Sequence, residues 1–335
     1  MGHTNTTIPR EAVYEDFEQF LSGIGNKATG TIPLNSSETV RKLDRVLKTA
    51  SPQYRAILAR RWKSQYDALT YREIEAAILQ GHISQAYVDQ WTREYADTVN
   101  NSIVPQWKVA SAAGYSTIAR GLTNIGAGAD YAPVALRMNK WFDSHGAELV
   151  KEVTAQQTAA INSTIQHYTV VNPINPRDAA RFIRPVIGLT ERQALAVSRR
   201  RDAIYKELVK EMSPARATKL AEGKALRYRN RLVRYRAEVI ARTEQAKAFN
   251  QGSHNGILES IRSGKLVGKV EKRWYTGLDE RVCSGCGPLH DTVVQLDEEF
   301  TTEFGVRTKT VLSAGIPPLH PQCRCVIIYV HESFA

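Results

Sequence analysis

The cysteines constrain the fold of this chain more than any other residue type. All four lie in the last sixth of its 335 residues, at positions 283, 286, 323 and 325. A disulfide framework is usually spread over a secreted protein, so this grouping favours metal binding instead. Two sulfurs at Cys-x-x-Cys spacing can meet one tetrahedral ion, and a second pair 37 positions later completes the set. The C-terminal segment is therefore predicted to fold around a metal.

The fourth ligand of this predicted site is ambiguous. His320 precedes Cys323 at a His-x-x-Cys spacing that a turn can bend onto one ion, whereas Cys325 lies on the same side of an extended strand as Cys323. Five donors in so small a segment favour a closed, structural zinc site over a catalytic ion, which needs an open position. The alternatives are reduced thiols that bind nothing and a redox pair. The predicted set is Cys283, Cys286 and Cys323 with either His320 or Cys325, and His290 is a more distant candidate.

The order of patterns along the chain predicts an α+β protein in four segments. Residues 1–35 contain scattered Gly, Thr, Asn and Pro residues, which are typical of turns and loops, and are predicted to be an N-terminal arm. Residues 36–171 are predicted to be helical and partner-binding, and 172–264 to be a basic long-helix region. Residues 265–335 change to short strands and are predicted to be a small antiparallel β domain. So small a core is typical of domains that a zinc ion stabilises.

Particular residues mark predicted helix ends and strands. Two capping boxes are predicted, at Thr70 with Glu73 and at Thr190 with Gln193. Ser51-Pro52 is predicted to start a new helix, because Pro is favoured at the first helical position. A long helix is predicted from about residue 224 to 249, with the tripeptide Asn250-Gln251-Gly252 as its end. The predicted strands cover 270–275, 292–296 and 325–330.

The net charge of +11 is concentrated in one part of the chain. Residues 181–250 hold 18 Lys and Arg against 7 Asp and Glu, so the remainder is close to neutral. Such a segment indicates a polyanionic or acidic partner, since arginines make bidentate contacts with phosphates. The alternative is a solvated helix face, or ion pairs of Arg242 with Glu244 and Glu238 that hold the helix internally. The residues predicted to bind DNA or a protein partner are Arg227, Arg229, Arg231, Arg234 and Arg236.

An ordered series of motifs resembles a known family. It consists of Arg242-Thr243-Glu244, Trp274, Asp279-Glu280-Arg281-Val282-Cys283-x-x-Cys286-x-x-Leu289-His290-Asp291 and Pro317-Pro318-x-His320-Pro321-x-Cys323-Arg324-Cys325. In this order the motifs resemble the C-terminal domain of phage head morphogenesis proteins, the Mu F-like minor head proteins. The resemblance covers about residues 190 to 330. The chain departs from it at His290-Asp291, where the family usually has Asp-Gly or a similar turn.

The resemblance implies a low-copy minor capsid protein of a tailed bacteriophage, incorporated during head assembly. It implies contacts with the portal protein, with the major capsid or scaffold protein, and with packaged double-stranded DNA. The implied location is the virion, in the head interior or at the portal vertex, after assembly in the host cytoplasm. An alternative is a DNA-associated internal protein that is ejected with the genome.

Neither catalysis nor membrane insertion is expected from the sequence. It contains no His-Glu-x-x-His motif, no Gly-rich phosphate loop and no recognisable Ser/His/Asp arrangement. It has no run of about 18 apolar residues, and its first ten residues are polar. A zinc-dependent hydrolase or a toxin-type enzyme is the remaining enzymatic alternative. Binding to other head components is therefore the predicted mode of action.

Overall fold

The computed structural model describes residues 36–128, 131–277, 279–304 and 310–331. The predicted N-terminal arm, residues 1–35, lies outside the described residues. Most of the described chain is helical. The helices are α1 (Ser36–Ala68), α2 (Tyr71–Gln80), α3 (Gln85–Thr98), α4 (Val104–Asn124), α5 (Tyr131–Gln166), α6 (Pro176–Ile183), α7 (Glu191–Leu208) and α8 (Pro214–Arg262). Single π-helical turns, Val99–Ile103 and His167–Val171, follow α3 and α5.

Both predicted capping boxes are confirmed. At the start of α2 the Thr70 hydroxyl accepts from the Glu73 amide, and the Glu73 carboxylate accepts from the Thr70 amide at 2.7 Å. At the start of α7, Gln193 accepts from the Thr190 amide at 3.1 Å while the Thr190 hydroxyl caps the Gln193 amide. Each box pairs amides that have no partner within the helix, which fixes where these helices begin.

The prediction of a new helix at Pro52 is wrong, because α1 runs through that residue without interruption. Proline removes one backbone hydrogen bond from a helix interior and normally disfavours this arrangement. Here Ser51, just before the proline, is 1% exposed, and Tyr54, two residues after it, is fully buried. Burial of this helix face outweighs the local signal of the proline.

The predicted end of the long helix at Gly252 is also wrong, because α8 continues to Arg262. A Cβ atom on Gly252 would lie 2.0 Å from the carbonyl oxygen of Ser111 in α4, and one on Gly114 would lie 1.8 Å from that of Phe249 in α8. The two helices therefore cross with their backbones in contact, which only glycine permits at these positions. Gly252 serves this close approach and is not a helix stop.

Replacement of Gly252 by Ala is expected to lower the free energy of unfolding by about 3 kcal/mol, because the new methyl group overlaps a backbone carbonyl that cannot rotate away. Gly223 in the same helix is the matched control, since a Cβ there has no neighbour closer than 3.9 Å, an Arg227 nitrogen. Gly223→Ala is expected to stabilise the protein by about 0.5 to 1 kcal/mol through helix propensity. Urea unfolding of both variants measures the difference, and equal effects would contradict the close helix crossing.

Two small antiparallel sheets follow α8. Strands β1 (Val270–Tyr275), β2 (Val293–Gln295) and β5 (Val326–His331) form one sheet in the order β2-β1-β5, with Lys272 opposite Tyr329. These three confirm the predicted strands to within two residues. Strands β3 (Phe300–Phe304) and β4 (Thr310–Ala314) form a separate two-stranded sheet that the sequence analysis did not predict.

The β strands share one hydrophobic core with parts of α4 and α8. Trp274 and Phe300 are fully buried, and their rings meet edge to face with centroids 5.2 Å apart. Three of the four cysteines are buried in the same cluster. Asn250 of α8 joins the helix to β5, because its side-chain amide donates to the carbonyl oxygen of Cys325 at 3.2 Å and accepts from the amide of Ile327 at 3.2 Å.

Contacts between residues divide the chain into two units. The first unit comprises residues 1–49, 107–138 and 242–335, and it contains both sheets. The second comprises 50–106 and 139–241, and it is helical. Each unit is assembled from separate stretches of sequence, whereas the predicted division uses four consecutive segments, and that division stays a prediction.

The predicted fold class is confirmed. The chain is mostly helical, and a small antiparallel β region lies toward its C-terminus. Among the described residues, none of the helices combines the length and the apolar character needed to cross a membrane.

Candidate metal centre and basic surface

The first two candidate ligands lie on a tight turn after β1. The Cys286 amide donates to the Cys283 carbonyl oxygen at 3.1 Å and lies 3.3 Å from the Cys283 sulfur. The Gly287 amide donates to the same carbonyl at 2.9 Å. Amides that point at a cysteine sulfur favour its thiolate form, which is the form that binds metals. The local backbone therefore presents both sulfurs on one side of the turn.

The remaining candidates lie on a second turn that leads into β5. The Cys323 amide donates to the His320 carbonyl oxygen at 3.2 Å, and Gln322 has a left-handed conformation with φ of 65°. The Gln322 amide donates to the hydroxyl of Thr243 in α8 at 3.0 Å. Thr243 belongs to the Arg-Thr-Glu motif of the sequence, so this motif contributes a support for the second turn.

The two turns bring their donor atoms together. His320 Nε2 lies 2.9 Å from the Cys283 sulfur and 3.2 Å from the Cys286 sulfur, and the sulfurs of Cys286 and Cys323 are 3.7 Å apart. His320 Nδ1 lies 2.9 Å from the Pro321 carbonyl oxygen, which leaves Nε2 to face the sulfurs. A hydrogen bond of this kind orients a metal-binding histidine.

The donors form two overlapping groups, in each of which all the ligand atoms lie within 4.8 Å of one another. One group is Cys283, Cys286 and His320, and the other is Cys286, Cys323 and Cys325. Sulfur and imidazole donors at such distances fit a tetrahedral zinc ion. Cys286 is common to both groups, so it is a ligand in either arrangement. His320 and Cys325 both remain candidates for the fourth position.

Contacts within the cluster shift the pKa values of its members. The hydrogen bond with Cys286 lowers the pKa of Cys283 to about 4, and His320 adds to this effect. Hydrogen bonding to the resulting thiolate raises the pKa of His320 to about 9. The same contact with Cys283 raises the pKa of Cys286. These shifts favour a thiolate at Cys283 beside a protonated His320, and a metal ion would displace that proton on binding.

His290 is in neither group of donors. Its Nδ1 accepts from the amide of Thr276 at 3.2 Å and lies 3.1 Å from the Thr276 hydroxyl, and its Nε2 lies 3.4 Å from the Asp291 carboxylate. Both ring nitrogens thus have other partners, so we remove His290 from the candidate ligands. The next residue, Asp291, has φ of 59°. This is the left-handed conformation that glycine adopts most easily and that Asp tolerates better than most other residues.

Two further contacts support the cluster and were not predicted. The ring of Phe304, at the end of β3, stacks on His320 with centroids 6.3 Å apart. Phe304 also covers Gly285, where a Cβ atom would lie 2.6 Å from its ring. Strand β3 therefore covers the first cysteine turn through Phe304. The sequence pattern that could have predicted this strand is Phe300, Thr302 and Phe304 at every second position, which is typical of one face of a β-strand.

Arg324 lies between two of the candidate ligands and is only 9% exposed. Its guanidinium donates to the carboxylate of Asp279, next to the first cysteine turn, and lies 3.5 Å from the carboxylate of Asp44 in α1. Burial alone raises the pKa of Asp279, but hydrogen bonds from Arg324 and Arg281 outweigh it and lower the pKa. Arg324 therefore joins the second turn to the first turn and to α1.

The five arginines predicted to bind DNA or a partner separate into two groups. Arg227, Arg231 and Arg234 are exposed on α8. Arg229 instead donates to the backbone carbonyl oxygens of Pro185 and Ile187, at 2.6 and 2.8 Å.

Arg236 is the second internal arginine, and it is 4% exposed. It donates to the side-chain oxygen of Gln156 at 2.7 Å, and its guanidinium lies 5.1 Å from the ring centroid of Trp62. Burial lowers its pKa. Because their guanidiniums are used inside the second unit, we remove Arg229 and Arg236 from the predicted partner-binding set.

Both carboxylates of the predicted ion-pair set also pair with other residues, and their pairing with Arg242 stays a prediction. Glu238 pairs with Arg55 at 3.1 Å, and Glu244 pairs with Lys247 at 3.0 Å. Arg55 and Glu238 are partly exposed, so their pair contributes little to stability. Glu244 is 4% exposed, and its pairing with Lys247 one turn later avoids an unpaired buried carboxylate.

Comparison with known protein families gives a match to part of the chain. The model of the family described as Phage Mu protein F like protein matches residues 187–328. No curated protein and no solved structure matches the chain significantly. The matched range includes α7, α8, strands β1 to β4, the first three residues of β5 and all the candidate metal ligands. The resemblance to Mu F-like head morphogenesis proteins is therefore confirmed over this range.

Proposed function

Because residues 187–328 match the model of the Mu F-like family, we propose that this protein is a minor structural component of a tailed-phage head. The family match is the observation that carries this proposal. The protein is proposed to act by binding other head components during assembly, and not by catalysis. Its place is in the virion, in the head interior or at the portal vertex. Its protein partners are the portal and either the major capsid protein or the scaffold.

The proposed role of the Cys and His cluster is structural. A zinc ion held by Cys283, Cys286 and Cys323, with His320 or Cys325, would crosslink the two turns of the β region. The buried position of three of the cysteines supports a closed site, since a catalytic zinc needs access for water and substrate. The metal thus stabilises the fold of the module that matches the family.

The proposed DNA contact is made by the exposed arginines of α8. Arg227 and Arg231 have no carboxylate partner within the described part of the chain, and Arg234 bonds only weakly to its own helix, at 3.3 Å from the Asn230 carbonyl oxygen. Guanidiniums without a carboxylate partner keep their N–H donors available for phosphate oxygens. Packaged DNA provides such phosphates in the head interior.

A phage that lacks the gene tests the head assignment. We expect it to make few infectious particles, with the block at the stage of heads, and we expect the gene supplied in trans to restore them. Tails should assemble normally and serve as the internal control. Normal yields of DNA-filled heads without the protein would contradict a role in head assembly.

Replacement of Arg227, Arg231 and Arg234 by Ala is expected to weaken binding to duplex DNA at low salt while the helix content stays unchanged. Each lost phosphate contact should reduce the slope of log affinity against log salt by about 0.9. Alanine is a strong helix former, so the cost lies in contacts and not in α8 itself. Filter binding and far-ultraviolet circular dichroism measure the two quantities.

The matched control for this variant removes the same charge from other exposed positions of the basic segment, Lys206, Arg216 and Lys224. We expect it to bind DNA nearly as the unchanged protein does. Equal losses in both variants would indicate a general charge effect, and unchanged binding of the first variant would remove α8 as the DNA contact.

An internal protein that is ejected with the genome is the second candidate function. The concentration of positive charge in residues 181–250 favours it, because such a protein travels with DNA. Particles emptied by triggered DNA release separate the two candidates. A structural head component remains in the emptied heads, whereas an ejected protein is lost from them with the DNA.

A further inference from the structure

Two exposed arginines from different helices lie over the same tyrosine ring. The guanidinium carbon of Arg200 in α7 is 4.9 Å from the ring centroid of Tyr228 in α8, and that of Arg231 is 5.7 Å from it. Tyr228 is half-buried, whereas both arginines are exposed. All three residues belong to the second unit. Arg200 was not among the arginines that the sequence analysis selected.

Stacking on an aromatic ring restricts an arginine without using its hydrogen-bond donors. The cation–π contact acts through the face of the guanidinium, whereas its five N–H groups point outward in the plane. Neither Arg200 nor Arg231 has an ion pair with a carboxylate in the described residues. The tyrosine therefore holds two cations in place and leaves their donors available.

We infer that Arg200, Tyr228 and Arg231 form a phosphate-binding clamp for the backbone of duplex DNA. This inference rests on the proposed DNA contact of α8, and it adds a second helix and an aromatic support to it. Two guanidiniums held against one ring can each contact phosphate oxygens with bidentate geometry, and less rotamer freedom is lost on binding. A backbone contact of this kind carries no base preference, as expected for a protein that meets packaged DNA of any sequence.

The clamp predicts different effects on DNA binding for substitutions of its arginines and of its tyrosine. Arg200→Ala and Arg231→Ala should each reduce the salt slope of binding to a mixed-sequence DNA duplex by about 0.9, with an affinity loss on the order of tenfold at low salt. Tyr228→Leu changes no charge but removes the stacking, so it should weaken binding several-fold. Tyr228→Phe keeps the ring and should bind as the unchanged full-length protein does.

Arg216→Ala is the control, because Arg216 is an exposed arginine of α8 outside the clamp. It should leave the slope unchanged, and circular dichroism should show equal helix content in all variants. If Arg200→Ala and Tyr228→Leu match Arg216→Ala while the triple variant of α8 still loses binding, the clamp is wrong and the DNA contact stands. If the unchanged protein does not bind DNA at low salt, the clamp and the proposed DNA contact of α8 are both wrong. Polyglutamate binding that depends on the clamp more strongly than DNA binding does would assign it to acidic proteins and overturn the inference.

Discussion

Removal of the metal by a chelator is expected to unfold the sheet of β1, β2 and β5 and to leave the helices of the second unit folded. An unfolded chain has no preformed site, so the binding energy of a structural zinc appears as folding energy, on the order of 10 kcal/mol in small zinc modules. The strands are short, and so small a β region typically needs an added crosslink of this kind. Hydrogen exchange measured with and without chelator locates the effect, because the amides of β1 and β5 should lose protection while those of α7 keep it.

Single substitutions of the candidate ligands test the metal site without a chelator. Cys283→Ser and Cys323→Ser should each weaken metal binding strongly, since only the unused one of His320 and Cys325 remains to replace a lost thiolate. Exposed Ser284, between the first two cysteines, is the matched control, and Ser284→Ala should bind metal normally. His320→Ala and Cys325→Ser should differ sharply, because only one of them is the fourth ligand. A β region that is metal-free by elemental analysis and still fully folded would contradict the structural site.

Replacement of Arg324 by Met is expected to lower the free energy of unfolding by about 4 kcal/mol. The change preserves most of the side-chain length but removes the buried cation that the partly buried carboxylates of Asp44 and Asp279 share, so that Asp279 keeps only the exposed Arg281. Breaking a buried ion pair from one side costs about 3 to 5 kcal/mol, because the remaining charge stays desolvated. Urea unfolding of the metal-loaded protein gives the value.

Arg281 provides the comparison for this prediction. It pairs with the same Asp279 at 2.8 Å, but its own side chain is 58% exposed. Exposed pairs contribute little, so Arg281→Met should cost less than about 1 kcal/mol. Similar costs for both variants would show that Arg324 has no special structural role. Metal content should remain unchanged in either case, which separates the loss of the ion pairs from the loss of the metal.

Local signals in the sequence were sufficient for features that neighbouring residues determine. The capping boxes at Thr70 and Thr190 depend on residues three positions apart, and both are formed. The spacing of Cys283 and Cys286 is likewise a property of one turn, and these sulfurs do meet His320. The spacing could not choose between His320 and Cys325, because that choice depends on how the second turn is held by α8.

Features that depend on distant residues could not be read from the sequence. Arg324 and Asp44 are 280 positions apart in the sequence, and no local sequence pattern predicts their contact. Gly252 shows the same limit, because a glycine after polar residues is a typical helix end, yet here it permits a crossing with Ser111. Helical spacing groups Arg227, Arg231 and Arg234 on one face of the helix, but it did not show that Arg236 is buried.

The composition of purified heads tests the central claim most directly. Quantitative mass spectrometry with isotope-labelled peptides can measure the ratio of this protein to the portal and to the major capsid protein in proheads and in mature virions. The account predicts that the protein is present in both particles, at a copy number far below that of the major capsid protein. Its absence from both particles, in lysates where the free protein is abundant, would contradict the assignment as a head component.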